Sequence, residues 1–150
     1  MLVATGFIVF KRKLDDEKRT IELPEPRLVG TISVEEAIAR RRSRRSYSDG
    51  PSSLKDLSQL CWAAQGITDS IRKFRASYPL ELFLVVGNAE IDARVYQYIP
   101  FDHSLMLIKK GDYREELYRA ALRQEAVREG AIDMVITAIY ERTTSKYGER

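Results

Sequence analysis

Residues 80–86 read Leu80-Glu81-Leu82-Phe83-Leu84-Val85-Val86. A nearly unbroken apolar run of this length is that of a buried strand. Downstream, Val95 to Ile99 and Leu105 to Ile108 flank Pro100-Phe101-Asp102-His103, which predicts a hairpin. Ile132 to Tyr140 is richer in β-branched residues than in helix formers and predicts a further strand.

Helical signals surround these runs. Ser33-Val34-Glu35-Glu36 is a capping box, so a helix should follow from Val34 to about Arg42, with Val34, Ala37 and Ile38 facing inward. Asp49-Gly50-Pro51 reads as a turn. Ser53 should cap a second helix carrying Leu54, Leu57, Leu60, Cys61 and Ala64 at helical spacing, with Gly66 ending it as a C′ residue. Residues 67–78 read as a loop. Asp112, with Glu115 at the reciprocal position, should cap a third helix striped by Leu117, Ala120, Ala121 and Val127 and ended by Gly130. This order predicts an α+β fold, a largely antiparallel sheet flanked by helices. Residues 11–30 are charged and then interrupted by Leu23-Pro24-Glu25-Pro26, so 1–30 reads as an N-terminal arm and 31–150 as the domain.

Composition sets limits. The chain's 150 residues suit one domain. Charged residues are 31% and hydrophobic residues 44%, which places the chain among globular rather than disordered sequences. A net charge of +3 excludes a generally polycationic protein, so a basic site must come from local clustering. One cysteine excludes an internal disulfide and a multi-thiolate metal site, and one histidine argues against a His-based one, so no metal site is expected. Cys61, beside Trp62 on an apolar helix face, reads as core and fits a reducing, cytoplasmic setting. The apolar start, Met1 to Phe10, precedes Lys11-Arg12-Lys13, whereas a signal peptide carries its charges first. It reads as a short strand or arm packed on the domain, with the remnant of a lost membrane anchor as the minor alternative.

Neither a dinucleotide fingerprint, a P-loop nor a nucleophile elbow is present. His103 reads as a solvated turn residue. Glu115/Arg119 and Glu125/Arg128 read as surface pairs at helical spacing. No side chain is nominated as catalytic. What stands out is Arg40-Arg41-Arg42-Ser43-Arg44-Arg45-Ser46-Tyr47, with five arginines in six positions at a helix C-terminus. The helix dipole favours cations there, but five mutually repelling guanidinium groups point to an anion. Guanidinium forks suit phosphate. Three readings stay open on the cluster alone: a phosphorylated cofactor, a nucleic-acid backbone, or a solvated basic surface. Against nucleic acid, the cluster lacks the aromatic interleaving that single-strand binders use.

These residues resemble a known family. Val34-Glu35-Glu36-Ala37-Ile38 leading to Arg41-Arg42-Ser43-Arg44-Arg45-Ser46-Tyr47 is similar to the opening helix of the FMN-dependent nitroreductases. Leu57 to Thr68 (LSQLCWAAQGIT) is similar to their second helix, and Tyr78-Pro79-Leu80-Glu81-Leu82 to the start of a central strand. Gly111-Asp112, Gln124 and Lys146-Tyr147-Gly148-Glu149-Arg150 fit the branch that contains the azoline-oxidising dehydrogenases of peptide-toxin biosynthesis.

The resemblance implies a flavoprotein oxidoreductase, a homodimer with FMN at the subunit interface, exchanging hydride with NAD(P)H or a small-molecule substrate. By position Arg41, Arg42, Ser43 and Arg45 match the residues that hold the FMN phosphate, ribityl chain and ring edge. Two departures stand against the family pattern. Arg75-Ala76-Ser77 runs directly into Tyr78-Pro79, where relatives carry a flavin-side loop of small residues. The sequence also ends at Arg150, where relatives continue through a long helix and a last strand. The expectation is an incomplete flavin site and uncovered apolar sheet surface. The alternative implied is a flavin-free binding or assembly module.

Overall fold

A computed structural model of the protein describes residues 19–67 and 79–148. The apolar start, the basic triplet Lys11–Lys13, the junction Arg75–Tyr78 and the last two residues lie outside the described residues.

Five strands form one antiparallel sheet: β1 (Thr20–Glu22), β2 (Leu80–Val86), β3 (Arg94–Ile99), β4 (Ser104–Lys110) and β5 (Ile132–Ala138), in the order β1-β4-β3-β2-β5. The antiparallel sheet expected from the sequence is therefore present. Leu84 stands opposite Tyr96 on one side and Met134 on the other. This register puts Leu82, Leu84 and Val86 on one face with Tyr96, Tyr98 and Leu105. A slip of one residue would turn the whole set to the other face. Below the sheet lies α2 (Leu54–Gln65), which contributes Leu57 and Cys61 to the same core. The arm contributes as well: Thr20–Glu22 pairs along β4, and Leu23 is buried among the core residues.

Helix α2 starts where Ser53 accepts the Asp56 N–H at 3.1 Å. A second acceptor, the Glu90 carboxylate, takes the Leu54 N–H at 2.7 Å. Two otherwise orphaned donors are thus satisfied, one of them by a charge that suits the positive end of the helix. The inner face of α2 is Leu57, Ser58 and Cys61. Leu60 and Ala64, expected inside, are exposed, because the helix is turned by about one position from the reading above. Gly66 is extended (φ −68°, ψ 142°) rather than left-handed. Its glycine serves another purpose: a Cβ there would stand 2.7 Å from the Trp62 ring.

Four further expectations are corrected. Helix α1 (Val34–Arg40) ends two residues early, and among the described residues its inner face is uncovered: Val34, Ala37 and Ile38 are all exposed. The third helix is two, α3 (Arg114–Ala120) and α4 (Glu125–Glu129). Leu122 and Arg123, both left-handed (φ 56° and 55°), break it between them. Asp112 is no side-chain cap of the expected kind. Its Oδ1 accepts the Arg114 N–H at 3.0 Å, and Glu115 pairs with Arg119 instead of reaching back. Finally β5 stops at Ala138, two residues short of the expected Tyr140, and α5 (Glu141–Tyr147) follows where no element was expected. Arg142 of α5 donates to Glu81 of β2 at 2.6 Å and ties the two together.

Candidate functional site

The arginine cluster sits at the end of α1. Ser33 caps this helix by accepting the Glu36 N–H at 3.1 Å, and Arg40 pairs with Glu36 at 2.5 Å. At Arg41 the backbone turns extended (φ −55°, ψ 128°). Arg42 folds back on the helix end, its Nη1 donating to Ala39 O at 2.9 Å and Arg41 O at 2.7 Å. That contact satisfies carbonyls the helix leaves unpaired and explains why the helix stops short of Arg42.

The four predicted residues thus separate into two kinds. Arg42 is engaged with the helix end. Arg41, Ser43 and Arg45 lie on exposed irregular chain, and among the described residues their side chains form no hydrogen bond or ion pair. Their donors fit a phosphate: two guanidinium forks and a hydroxyl within five positions, free of carboxylate partners. Among the described residues they stand on open, exposed chain.

The surroundings of the cluster are apolar. Leu28, Val29, Ile32, Val34 and Ile38 are 54–85% exposed, a strip along the arm and α1 that leads into the arginines. Gln59 clamps the arm to α2 at Arg27: the Arg27 N–H donates to Gln59 Oε1 at 2.8 Å, and Gln59 Nε2 donates to Arg27 O at 3.3 Å. Between arm and helix runs a groove of about 390 Å³, lined by Leu28, Val29, Ile32, Gln59 and Trp62 with Arg27 at its rim. Sequence reading missed this groove, since its two walls lie about thirty positions apart.

Two other expectations are settled by geometry. Cys61 is fully buried, and burial pushes its thiol up to about 12, so it is a core residue without reactivity. His103 is not a solvated turn residue. Its Nε2 lies 2.8 Å from Ser58 Oγ and 3.0 Å from Pro24 O, and its Nδ1 lies 2.8 Å from Tyr98 Oη. The pairs Glu115/Arg119 and Glu125/Arg128 are present as exposed ion pairs.

Comparison with known proteins gives a consistent result. The model of the nitroreductase family matches residues 38–150. A curated relative from Methanocaldococcus jannaschii, named "Putative nitroreductase MJ1384", is 38% identical over 137 residues, covering 87% of this chain and 67% of that protein. Two crystal structures carrying the same kind of description superpose on this fold. One, from Anabaena variabilis, does so with a TM-score of 0.69 at 22% identity, over 86% of this chain and 29% of the other. The second, from Ralstonia eutropha, gives 0.64 at 24% identity, over 87% and 60%. The E. coli microcin synthetase McbBCD complex with truncated pro-MccB17 bound contains a chain that matches with a TM-score of 0.54 at 20% identity, over 100% and 62%. These three likenesses are of fold. The chain spans less than two thirds of each of the three solved chains.

Proposed function

The chain belongs to the nitroreductase family, and from that premise we propose that it forms the phosphate-anchoring part of an FMN-dependent oxidoreductase. Family membership supports an oxidoreductase role. The observation that carries the finer reading is the arginine run after α1, where Arg41, Ser43 and Arg45 keep their donors uncommitted beside an ordered helix end.

The flavin, when bound, supplies two-electron hydride chemistry, with NAD(P)H as the proposed reductant. The chain's own residues do the rest. Arg41 and Arg45 neutralise and orient the phosphate, and Ser43 adds a hydroxyl donor. Arg42 stabilises the helix end from which the cluster hangs. The Leu28–Ile38 strip supplies an apolar surface that excludes water once covered. We propose that a second copy covers it and completes the site, and that the protein works in the cytoplasm on a small-molecule substrate.

The test is the visible spectrum of the purified protein after FMN is added and then removed by gel filtration. A retained flavin spectrum, followed by NAD(P)H oxidation, supports the reading. A colourless protein overturns it and favours a flavin-free binding or assembly module. The exposed strip on the arm and α1, together with exposed Leu80, Ile108 and Ile136 on the sheet, is the observation behind that second reading.

A further inference from the structure

His103 joins the arm and α2, both far from it in the sequence, to β3. Its carbonyl accepts the Leu23 N–H at 3.1 Å, and its ring meets Pro24 of the arm, Ser58 of α2 and Tyr98 of β3. One proton assignment satisfies every group. The Ser58 hydroxyl donates to Pro24 O, so Ser58 Oγ and Pro24 O both face Nε2 as acceptors, and Nε2 must carry the hydrogen. Nδ1 is then the bare nitrogen and accepts the Tyr98 hydroxyl. Tyr98 is 2% exposed, and burial pushes its hydroxyl up to about 12, so it remains a donor throughout the physiological range. The network therefore closes on a neutral imidazole.

A second proton has no place in it. It would sit on Nδ1 and turn the Tyr98 oxygen into an acceptor, leaving the buried Tyr98 hydrogen without a partner. No charge on the neighbouring elements forms an ion pair with the ring among the described residues. The titratable and charged groups on those elements are Arg94, Tyr96 and Tyr98 on β3, Lys55, Asp56 and Cys61 on α2, Arg19, Glu22, Glu25 and Arg27 on the arm and Asp102 in the turn. We propose that His103 is a proton-operated latch that holds the arm at Leu23 and Pro24 against α2 and β3, and that protonation of the ring releases it. This inference does not depend on the oxidoreductase reading, because it concerns only where the arm stands.

The whole chain serves for the test. His103 is the only histidine, so its ring resonances report its protonation unambiguously by NMR. Amide exchange at Leu23 and Arg27, corrected for intrinsic rate, reports the arm. Between about pH 8 and about pH 5, the range over which imidazoles change charge, arm protection should fall roughly tenfold, the cost of orphaning one buried donor. Its midpoint should coincide with the ring titration, while Leu84 and Tyr96 in the sheet stay protected. His103→Asn should abolish the pH dependence. Asparagine suits the left-handed backbone at this position (φ 47°), so this variant keeps the turn. Ring titration without loss of arm protection overturns the latch, and so does an unchanged pH dependence in H103N. Should H103N fail to fold, the coincidence of midpoints in the unaltered protein decides alone. Asp133→Asn, run in parallel, removes a carboxyl that burial pushes up to about 6.

Discussion

The Arg114 guanidinium lies so tightly over the backbone of Gly87 that a Cβ on Gly87 would stand 1.8 Å from Arg114 Nε. Arg114 cannot simply move aside. It grips Asp112 through Nε and Nη2, at 3.0 Å and 2.7 Å, and donates from Nη1 to Gly130 O at 3.0 Å. Glycine here is a matter of close approach, and the arginine ties the start of α3 to the start of β5.

Gly87→Ala should therefore expel Arg114 and forfeit these bonds. A loss of about 1–3 kcal/mol follows from leaving part-buried donors and acceptors unpaired. Urea denaturation of the variant checks it. Adding Arg114→Ala to Gly87→Ala should cost little more, since the arginine has already lost its place.

Asp133 stands beside this cluster with one buried carboxylate oxygen lacking a partner. Burial pushes its carboxyl up to about 6, Asp112 adds to the rise, and Arg114 opposes it. The folded state thus holds the proton more tightly than the unfolded chain, so stability should fall as pH rises from about 4 through about 6. Asp133→Asn removes this slope. Relative to the natural chain, the variant should gain about 1–2 kcal/mol between pH 4 and pH 8, after allowance for solvent screening. Denaturation curves at both pH values measure the difference.

Two leucines on α2 test how the helix is turned. Leu57 is 1% exposed and Leu60 is 52% exposed. Leu57→Ala should cost about 2–5 kcal/mol through the cavity it leaves, and Leu60→Ala well under 1. Equal losses would mean that α2 presents a different face to the sheet.

Within the arginine run, Arg45→Ala should weaken FMN binding about tenfold or more, as expected for a lost charge-assisted phosphate contact. Arg119→Ala, which only breaks an exposed 3.0 Å pair with Glu115, should leave it unchanged. Arg45→Lys should fall between, because an ammonium keeps the charge and loses the fork. Titration of flavin fluorescence separates the three.

Much of the fold was legible. Leu82, Leu84 and Val86 announce a core strand because burial on a sheet needs apolar side chains at alternate positions. Ser53 announces the start of α2 because a helix leaves its first N–H groups unpaired, and a nearby hydroxyl is the cheapest remedy. The third helix was misread because Leu117 to Val127 keeps helical spacing across the break at Leu122 and Arg123. Neither residue is a glycine, and the left-handed turn they make leaves no mark in the composition.

The sequence by itself determined the strands β2 to β5, the starts of α1 and α2, the buried Cys61 and the concentration of arginine at residues 40–45, all of which arise from residues close together in the chain. Only the tertiary structure decided what depends on distant partners. His103 reaches Ser58 across 45 positions and Pro24 across 79, and no local pattern encodes such a pairing. The apolar residues of α1 were expected to be buried because amphipathic spacing specifies which face wants cover. Whether cover exists depends on where the arm runs, and the Gln59 clamp on Arg27 and the His103 contact with Pro24 fix the arm through partners far away in the sequence.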